Sequence, residues 1–302
     1  MYDLITIGNI SIDLYFQGKS LTQEDNRFHL AIGGKYSADH FYETLGGGGA
    51  NVAIGATRHG LTTAIMGKIG NNQFKNMILQ HLKEHGVAHE LCTFQDDYYK
   101  ISSILLSAVG ERTIINYETP HEHIFQHQKE LDSLKKARIV YVSNLPKVSL
   151  EERNHMMSFL NQHKIPCVLN LGILDCRRPI QQLIPLLHKT NILILNSHEF
   201  GEMIKHDYQS INFKKDVRKY IDVLCDKTLI ITDGEKGSYG YFDETVHHLK
   251  ALVPKQIIDT TGAGDGYTAG FIAGYLKHTD IPQAMEIGGK YACKVLEKVG
   301  AN

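Results

Sequence analysis

An alternation of two kinds of segment constrains this chain most. Short apolar runs at Leu4 to Gly8, Thr63 to Met66, Arg138 to Ser143, Pro166 to Leu171, Asn191 to Leu195 and Thr228 to Thr232 have the length and β-branched content of strands. Between many of them lie amphipathic stretches of helical period: Asn51 to His59, Gln73 to His85, Leu150 to Lys164, Pro179 to Lys189 and Phe213 to Asp226. Apolar strands separated by helices predict a largely parallel sheet covered on both faces, because parallel neighbours need a crossover that a helix supplies. Two regions break the rhythm. Asp13 to Leu45 and Tyr98 to Tyr117 alternate polar and apolar residues, and Val109-Gly110-Glu111 predicts a hairpin turn. These regions predict a smaller, more exposed β-layer. No repeat, low-complexity tract or linker divides the 302 residues, enough for one large α/β domain or two smaller ones.

Ligands of open parallel sheets lie beyond the carboxyl ends of the strands, and the polar residues and glycines of this chain collect there. Gly8 to Asp13, Asn196 to Glu199 and Asp233 to Gly237 each follow an expected strand. A polar-to-glycine turn, Asp259-Thr260-Thr261-Gly262-Ala263-Gly264-Asp265, feeds a helical run from Gly266 to Lys277. Such a turn presents backbone amides at a helix N-terminus, where anions bind. Asp265 at its rim is placed to take a proton, and an anion cradle beside a base is what phosphoryl transfer needs. A plain helix cap is the alternative. At that helix terminus the Asp265 carboxyl is expected below its usual pKa.

The second glycine cluster, Gly46-Gly47-Gly48-Gly49-Ala50-Asn51, permits close backbone approach to a ligand, and Asn51 can donate and accept hydrogen bonds. That suits a polyhydroxylated substrate; a hinge or tight strand-to-helix turn is the other reading. A GxxxxGK(S/T) phosphate loop is absent, and Tyr267 stands where a third glycine would complete GxGxxG after Gly262 and Gly264. Gly270 and Gly274 predict close helix packing.

Composition removes other classes. The 32 basic and 33 acidic residues give a formal charge of −1 without a basic run, which disfavours nucleic acid. The odd, scattered Cys92, Cys167, Cys176, Cys225 and Cys293 argue against a disulfide framework or zinc ribbon and for a cytoplasmic protein. The 17 histidines form no ligand-spaced cluster and are expected mostly on the surface. Met1-Tyr2-Asp3-Leu4 does not open a signal peptide, and no apolar run approaches the ~20 residues that span a bilayer.

Gly46, Gly47 and Asn51 in the first cluster and Asp259 to Asp265 in the second resemble the two signature patterns of the ribokinase-like (PfkB) carbohydrate kinases. The resemblance runs nearly the whole length, through Asp13, Asn196 with Glu199, and Thr232 with Gly234 and Gly237. It implies an α/β, ribokinase-like three-layer α/β/α fold with a mostly parallel central sheet and a small β-sheet lid. One kinase domain would cover 1–302, its lid formed by about 13–45 and 98–117. The implied activity is ATP- and Mg2+-dependent phosphorylation of a hydroxymethyl group of a small sugar, a pentose or hexose. A nucleoside or sugar-phosphate kinase is the alternative within the family, and a non-catalytic sugar-binding regulator the alternative outside it.

Carried over by position, Asp265 looks like the base, with Gly262, Ala263 and Gly264 as the anion hole. Asp13, which alone reads as a solvated strand-end carboxylate, with Gly46, Gly47 and Asn51 resembles the sugar site, and Asn144 follows another strand end facing it. Asn196 and Glu199 resemble the run that organises magnesium through waters, although the same pair reads as a capping box. Thr232, Gly234 and Gly237, with Asn196 and Gly264, resemble the nucleotide loop; a hairpin turn into Ser238 to Phe242 is the plainer reading. Asp259 and Thr261 resemble part of a site for a monovalent cation, K+, and the sequence ends at Asn302 before the residues that complete it in ribokinases. Gly48 stands where ribokinases carry lysine. Asn170-Leu171 resembles adenosine-kinase-like members rather than fructokinase-like ones. Arg112 in the lid meets a substrate phosphate or is solvated. The lid is expected to exclude water and, with an apolar face, to pair with a second copy as a homodimer.

Overall fold

The computed structural model describes residues 1–25, 27–107, 111–120, 123–125 and 128–301. In chain order the first half runs β1 (Tyr2–Ile7), β2 (Ser11–Gln17), β3 (Gln23–Glu24), β4 (Arg27–Phe28), β5 (His40–Gly46), α1 (Gly48–Arg58), β6 (Thr63–Met66), β7 (Lys68–Gly70), α2 (Lys75–Glu84), β8 (Thr93–Gln95), β9 (Lys100–Leu106), β10 (Arg112–Glu118) and α3 (Gln128–Ser133). The second half runs β11 (Ala137–Val142), α4 (Leu150–Gln162), β12 (Cys167–Asn170), α5 (Ile173–Cys176), α6 (Ile180–His188), β13 (Ile192–Asn196), α7 (Ser197–Ile204), β14 (Thr228–Thr232), β15 (Ser238–Phe242), β16 (Thr245–Leu249), α8 (Ala263–His278) and α9 (Ile281–Val295).

Each expected apolar run forms a strand of one eight-stranded sheet, ordered β16-β15-β14-β13-β12-β11-β1-β6. The pairings from β14 to β6 are parallel, and β15 and β16 add an antiparallel edge. Alternation along each strand feeds two cores. Leu193 and Leu195 join Met156, Leu160, Leu187 and Phe200 on one face, while Ile192 and Ile194 join Val52, Phe271 and Met285 on the other. Each such side chain contributes about 1.5–3 kcal/mol when fully buried. On the second face α8 and α9 approach closely. A Cβ at Gly270 would lie 2.8 Å from the Ile287 carbonyl oxygen, and one at Gly274 2.8 Å from Ala284 Cα.

A four-stranded sheet, ordered β10-β9-β2-β5, forms from the two alternating regions. Here β2 and β9 are parallel and the outer pairings antiparallel. Register sets Asp13 between Thr44 and Ser102, with Ser102 opposite Asn116, a polar row on the face that also buries Tyr15 and Ile104. The other face carries Phe41, Ile115 and Tyr117, 55%, 61% and 58% exposed. Leu106 pairs with Arg112 across the expected hairpin, whose Val109 and Gly110 lie outside the described residues.

One expected helix does not form. Phe213 to Asp226 holds two 3₁₀ turns, Val217–Tyr220 and Asp222–Leu224, separated by Ile221 in extended backbone at φ −140°. The Asp216 carboxylate accepts from the Arg218 amide and guanidinium, and that guanidinium also donates to the carbonyls of Lys227 and Asp243. The Asp216 side chain thus caps the first 3₁₀ turn, and the Arg218 side chain ties that turn to Lys227 and Asp243. Among the described residues no helix is long and apolar enough to cross a membrane.

Candidate active site

The glycine run joins β5 to α1, and crowding explains it. A Cβ at Gly46 would stand 2.0 Å from Asp13 Oδ2, at Gly47 2.4 Å from the Asn9 carbonyl oxygen, at Gly48 2.4 Å from Ser143 Oγ, and at Gly49 2.7 Å from the Gly8 backbone. Gly47 also holds φ +91°, which disfavours a side chain. The run is therefore a close-packed junction that draws Asp13, Asn9 and Ser143 against the start of α1, rather than a hinge.

The two glycine motifs meet although far apart in sequence. Asn51 Nδ2 in α1 donates to Asp265 Oδ2 in the first turn of α8 at 2.7 Å, 214 residues away. Asp265 Oδ1 lies 3.5 Å from where a Cβ on Gly48 would stand. Burial raises the Asp265 carboxyl above its usual range, the Asn51 hydrogen bond opposes this, and the Asp13 charge adds to it. This reverses the expectation of a low pKa, because desolvation of the charged form dominates at this site. Asp13, itself buried, accepts from Ser11 Oγ at 2.9 Å. Burial raises it too, against hydrogen bonds from Ser102 and Ser11 and the Lys100 charge. Asn144 packs on Gly172, and its buried Oδ1 has no hydrogen-bond partner among the described residues.

The loop into α8 is built differently. Gly262 takes φ +75°, and a Cβ there would meet Ala301 Cβ at 2.0 Å. At Gly264 a Cβ would meet nothing within 4 Å. Asp259, fully buried, pins the turn by accepting from the Thr261 amide and hydroxyl at 2.8 and 2.7 Å and the Gly300 amide at 3.0 Å. Arg112 is not simply solvated, for it donates to Thr260 Oγ1. Gly264 and Ala263 open onto a cavity of about 350 Å³ shared with Thr232, Gly234 and Gly237, whose far wall is apolar, with Leu249, Leu252, Pro254 and Leu296. Its size falls within the range of small-molecule sites.

A profile described as pfkB family carbohydrate kinase matches residues 1–302. The chain belongs to that family. It is therefore an ATP-dependent carbohydrate kinase. The 5-dehydro-2-deoxygluconokinase of Geobacillus kaustophilus is 24% identical over 306 residues, 97% of this chain and 88% of that one. Probable fructokinase-5 of Arabidopsis thaliana is 28% identical over 245 residues, covering 77% and 74%. Among solved structures, Arabidopsis thaliana ribokinase complexed with ribose and ATP has a TM-score of 0.80 at 19% identity, covering 99% of this chain and 94% of that one. Adenosine kinase from Sinorhizobium meliloti also has 0.80 at 19%, covering 100% and 95%. These likenesses establish the ribokinase fold.

In this kinase Asn196 caps α7. Its Oδ1 accepts from the Glu199 amide at 2.8 Å, and Glu199 Oε2 accepts from the Asn196 amide at 2.9 Å, the capping box that the sequence suggested. Burial pushes the Glu199 carboxyl up to about 7, with the Asn196 amide opposing and the Asp265 charge adding. One oxygen serves the box. Among the described residues no three His, Cys, Asp or Glu gather to hold a metal ion. Thr232, Gly234 and Gly237 form the β14–β15 turn and also wall the cavity. Sequence reasoning missed Ser11, Ser102 and Ser143. The alternating pattern of β9 held a signal for Ser102 alone, and only once its register with Asp13 was known.

Proposed function

We propose that this kinase transfers the γ-phosphoryl group of ATP, with Mg2+, to a hydroxymethyl oxygen of a small neutral sugar, a pentose or hexose. The observation that carries the reading is Asp265, held by Asn51 at the start of α8 beside an uncrowded glycine amide. Asp265 acts as the base, and its raised proton affinity moves it toward working pH. Gly262, Ala263 and Gly264 form the anion hole, where helix-terminal amides meet charge developing on the phosphoryl oxygens. Asp13 accepts from sugar hydroxyls, Gly46 and Gly47 pack against Asp13 and Asn9 and so seat that carboxylate and the sugar site beside Asn51, and Asn144 Oδ1 accepts a hydrogen bond from a further hydroxyl. The nucleotide phosphates run along Asn196, Thr232, Gly234, Gly237 and Gly264, with the base against the apolar wall of the cavity. Asn196 and Glu199 would hold magnesium, which when bound would supply neutralisation of phosphate charge.

A neutral acceptor fits because the two small-sheet cations nearest the cleft are already engaged. Lys100 pairs with Glu118 at 2.6 Å, and Arg112 lies 3.7 Å from Asp259. The small sheet closes over the sugar as a lid of one kinase domain, excluding water that would otherwise accept the phosphoryl group. Its exposed outer face suits a second copy, giving a lid-to-lid homodimer that a monomer in light scattering would rule out. Five free cysteines suit the reducing cytoplasm.

The test is an ADP-release screen over pentoses, hexoses, sugar phosphates and nucleosides, with Asp265→Asn as control. A pentose or hexose should turn over best. Preference for a nucleoside or sugar phosphate would replace the acceptor, and sugar binding without ADP release would leave a non-catalytic regulator.

A further inference from the structure

The cleft brings several carboxylates within electrostatic reach of one another. Asp259 and Asp13 interact, as do Asp13 and Asp265, and Asp265 and Glu199. Of these, Asp259 is the most deeply placed, at 0% exposure. Its hydrogen-bond donors, the Thr261 amide and hydroxyl and the Gly300 amide, are all neutral. Neutral donors reduce the penalty of burying a carboxylate without cancelling its charge. The Tyr15 phenol, buried beside Asp259 and Asp13, has its ionisation pushed up and stays neutral.

Among the described residues the cation at this carboxylate is Arg112, with Nη1 3.7 Å from Asp259 Oδ1. The same guanidinium nitrogen donates to Thr260 Oγ1. Arg112 opens β10, the edge strand of the small sheet, whereas Asp259 and Thr260 lead into the loop at Gly262 to Gly264. One side chain thus joins the small sheet to that loop. A guanidinium suits this, since its charge is permanent and Nη1 alone carries two N–H bonds, enough to face Thr260 and Asp259 together.

We propose that Arg112 is a positioning residue, the built-in counter-ion of Asp259, which holds the 259–264 loop in shape to receive an anion and ties the small sheet to it. The residues at Asp259 and Thr261 then do not fit a resident K+, because the guanidinium already supplies the positive charge. This rests on reading Gly262 to Gly264 as the anion hole.

The experiment compares wild type, Arg112→Met and Arg112→Lys without turnover. Calorimetry measures binding of a non-hydrolysable ATP analogue in potassium chloride and in choline chloride at equal ionic strength, and amide hydrogen exchange follows residues 259–264. Wild type should bind equally in both salts, within about twofold. Arg112→Met should bind about tenfold more weakly in choline, exchange faster in the loop, and regain affinity with potassium or added guanidinium ion, while the lysine variant falls between. A wild type whose affinity rises about tenfold with potassium overturns the proposal, as does a methionine variant equal to wild type, or a loss that neither cation restores. If Arg112→Met does not fold, the wild-type salt comparison and the lysine variant still decide. Loop exchange needs neither nucleotide nor sugar, so a failed acceptor screen and a failed counter-ion role are separately visible.

Discussion

The glycines of the two loops at the cleft answer to different neighbours. From Gly46 to Gly49 every added Cβ would collide with the protein itself, at 2.0 to 2.7 Å from Asp13, Asn9, Ser143 or Gly8. In the loop before α8, Gly262 is likewise crowded, by Ala301, but Gly264 faces open space. A glycine that the fold's own packing requires reports on assembly, and one that the packing leaves free reports on what must come close from outside. On the proposed assignment, the first loop builds the sugar side of the cleft and the second leaves room for a migrating phosphate.

Substitutions can break that contrast. Asp265→Asn should have the largest effect, lowering turnover by roughly 10²–10⁴ with sugar affinity nearly unchanged in calorimetry, the range of a removed general base. Near-normal turnover would reject the assignment. Gly264→Ala should weaken ATP-analogue binding by about ten- to a hundredfold, while thermal stability holds or rises by up to ~1 kcal/mol, since alanine is the better helix former. Gly46→Ala should do the opposite, with about 1–3 kcal/mol lost in urea unfolding through overpacking against Asp13. Were both alanine variants to lose stability alike, the distinction between the loops would fail.

The smallest effect concerns Glu199, whose folded carboxyl titrates at about 7 instead of 4.5. Across that window the folded state holds a proton that the unfolded chain has released. Its contribution to stability therefore falls as pH rises from 4.5 to 7 and is level above. If Glu199 organises magnesium as proposed, the ion competes for the ionised form, so the magnesium dependence of nucleotide binding should strengthen by up to about tenfold per pH unit as pH rises to neutrality and then level off. Glu199→Gln should flatten the profile; an unchanged profile would detach this residue from the metal.

Much of the architecture was legible because strand length and apolar continuity are local properties. Thr63 to Met66 and Thr228 to Thr232 form as read, and the parallel order follows from the helices between the strands. The segment from Phe213 to Asp226 was not legible, since its helical period lost to bonds that Arg218 makes with Asp243, 25 residues on. At the cleft, Asp265 and Asn51 stand out in the sequence as members of unusual glycine turns. Ser102 and Ser143 do not, because one serine in a strand or at its end looks like any other until a partner lies across from it.

Residue order alone determined a parallel α/β sheet, a second, more exposed layer and two unusual glycine turns, because periodicity and glycine placement act over a few bonds. The folded chain decided which carboxylates share one cleft, that Asp265 gains proton affinity instead of losing it, and that Arg112 leans on Asp259. Desolvation and close contact depend on what arrives through space, and here the decisive neighbours come from up to 214 residues away.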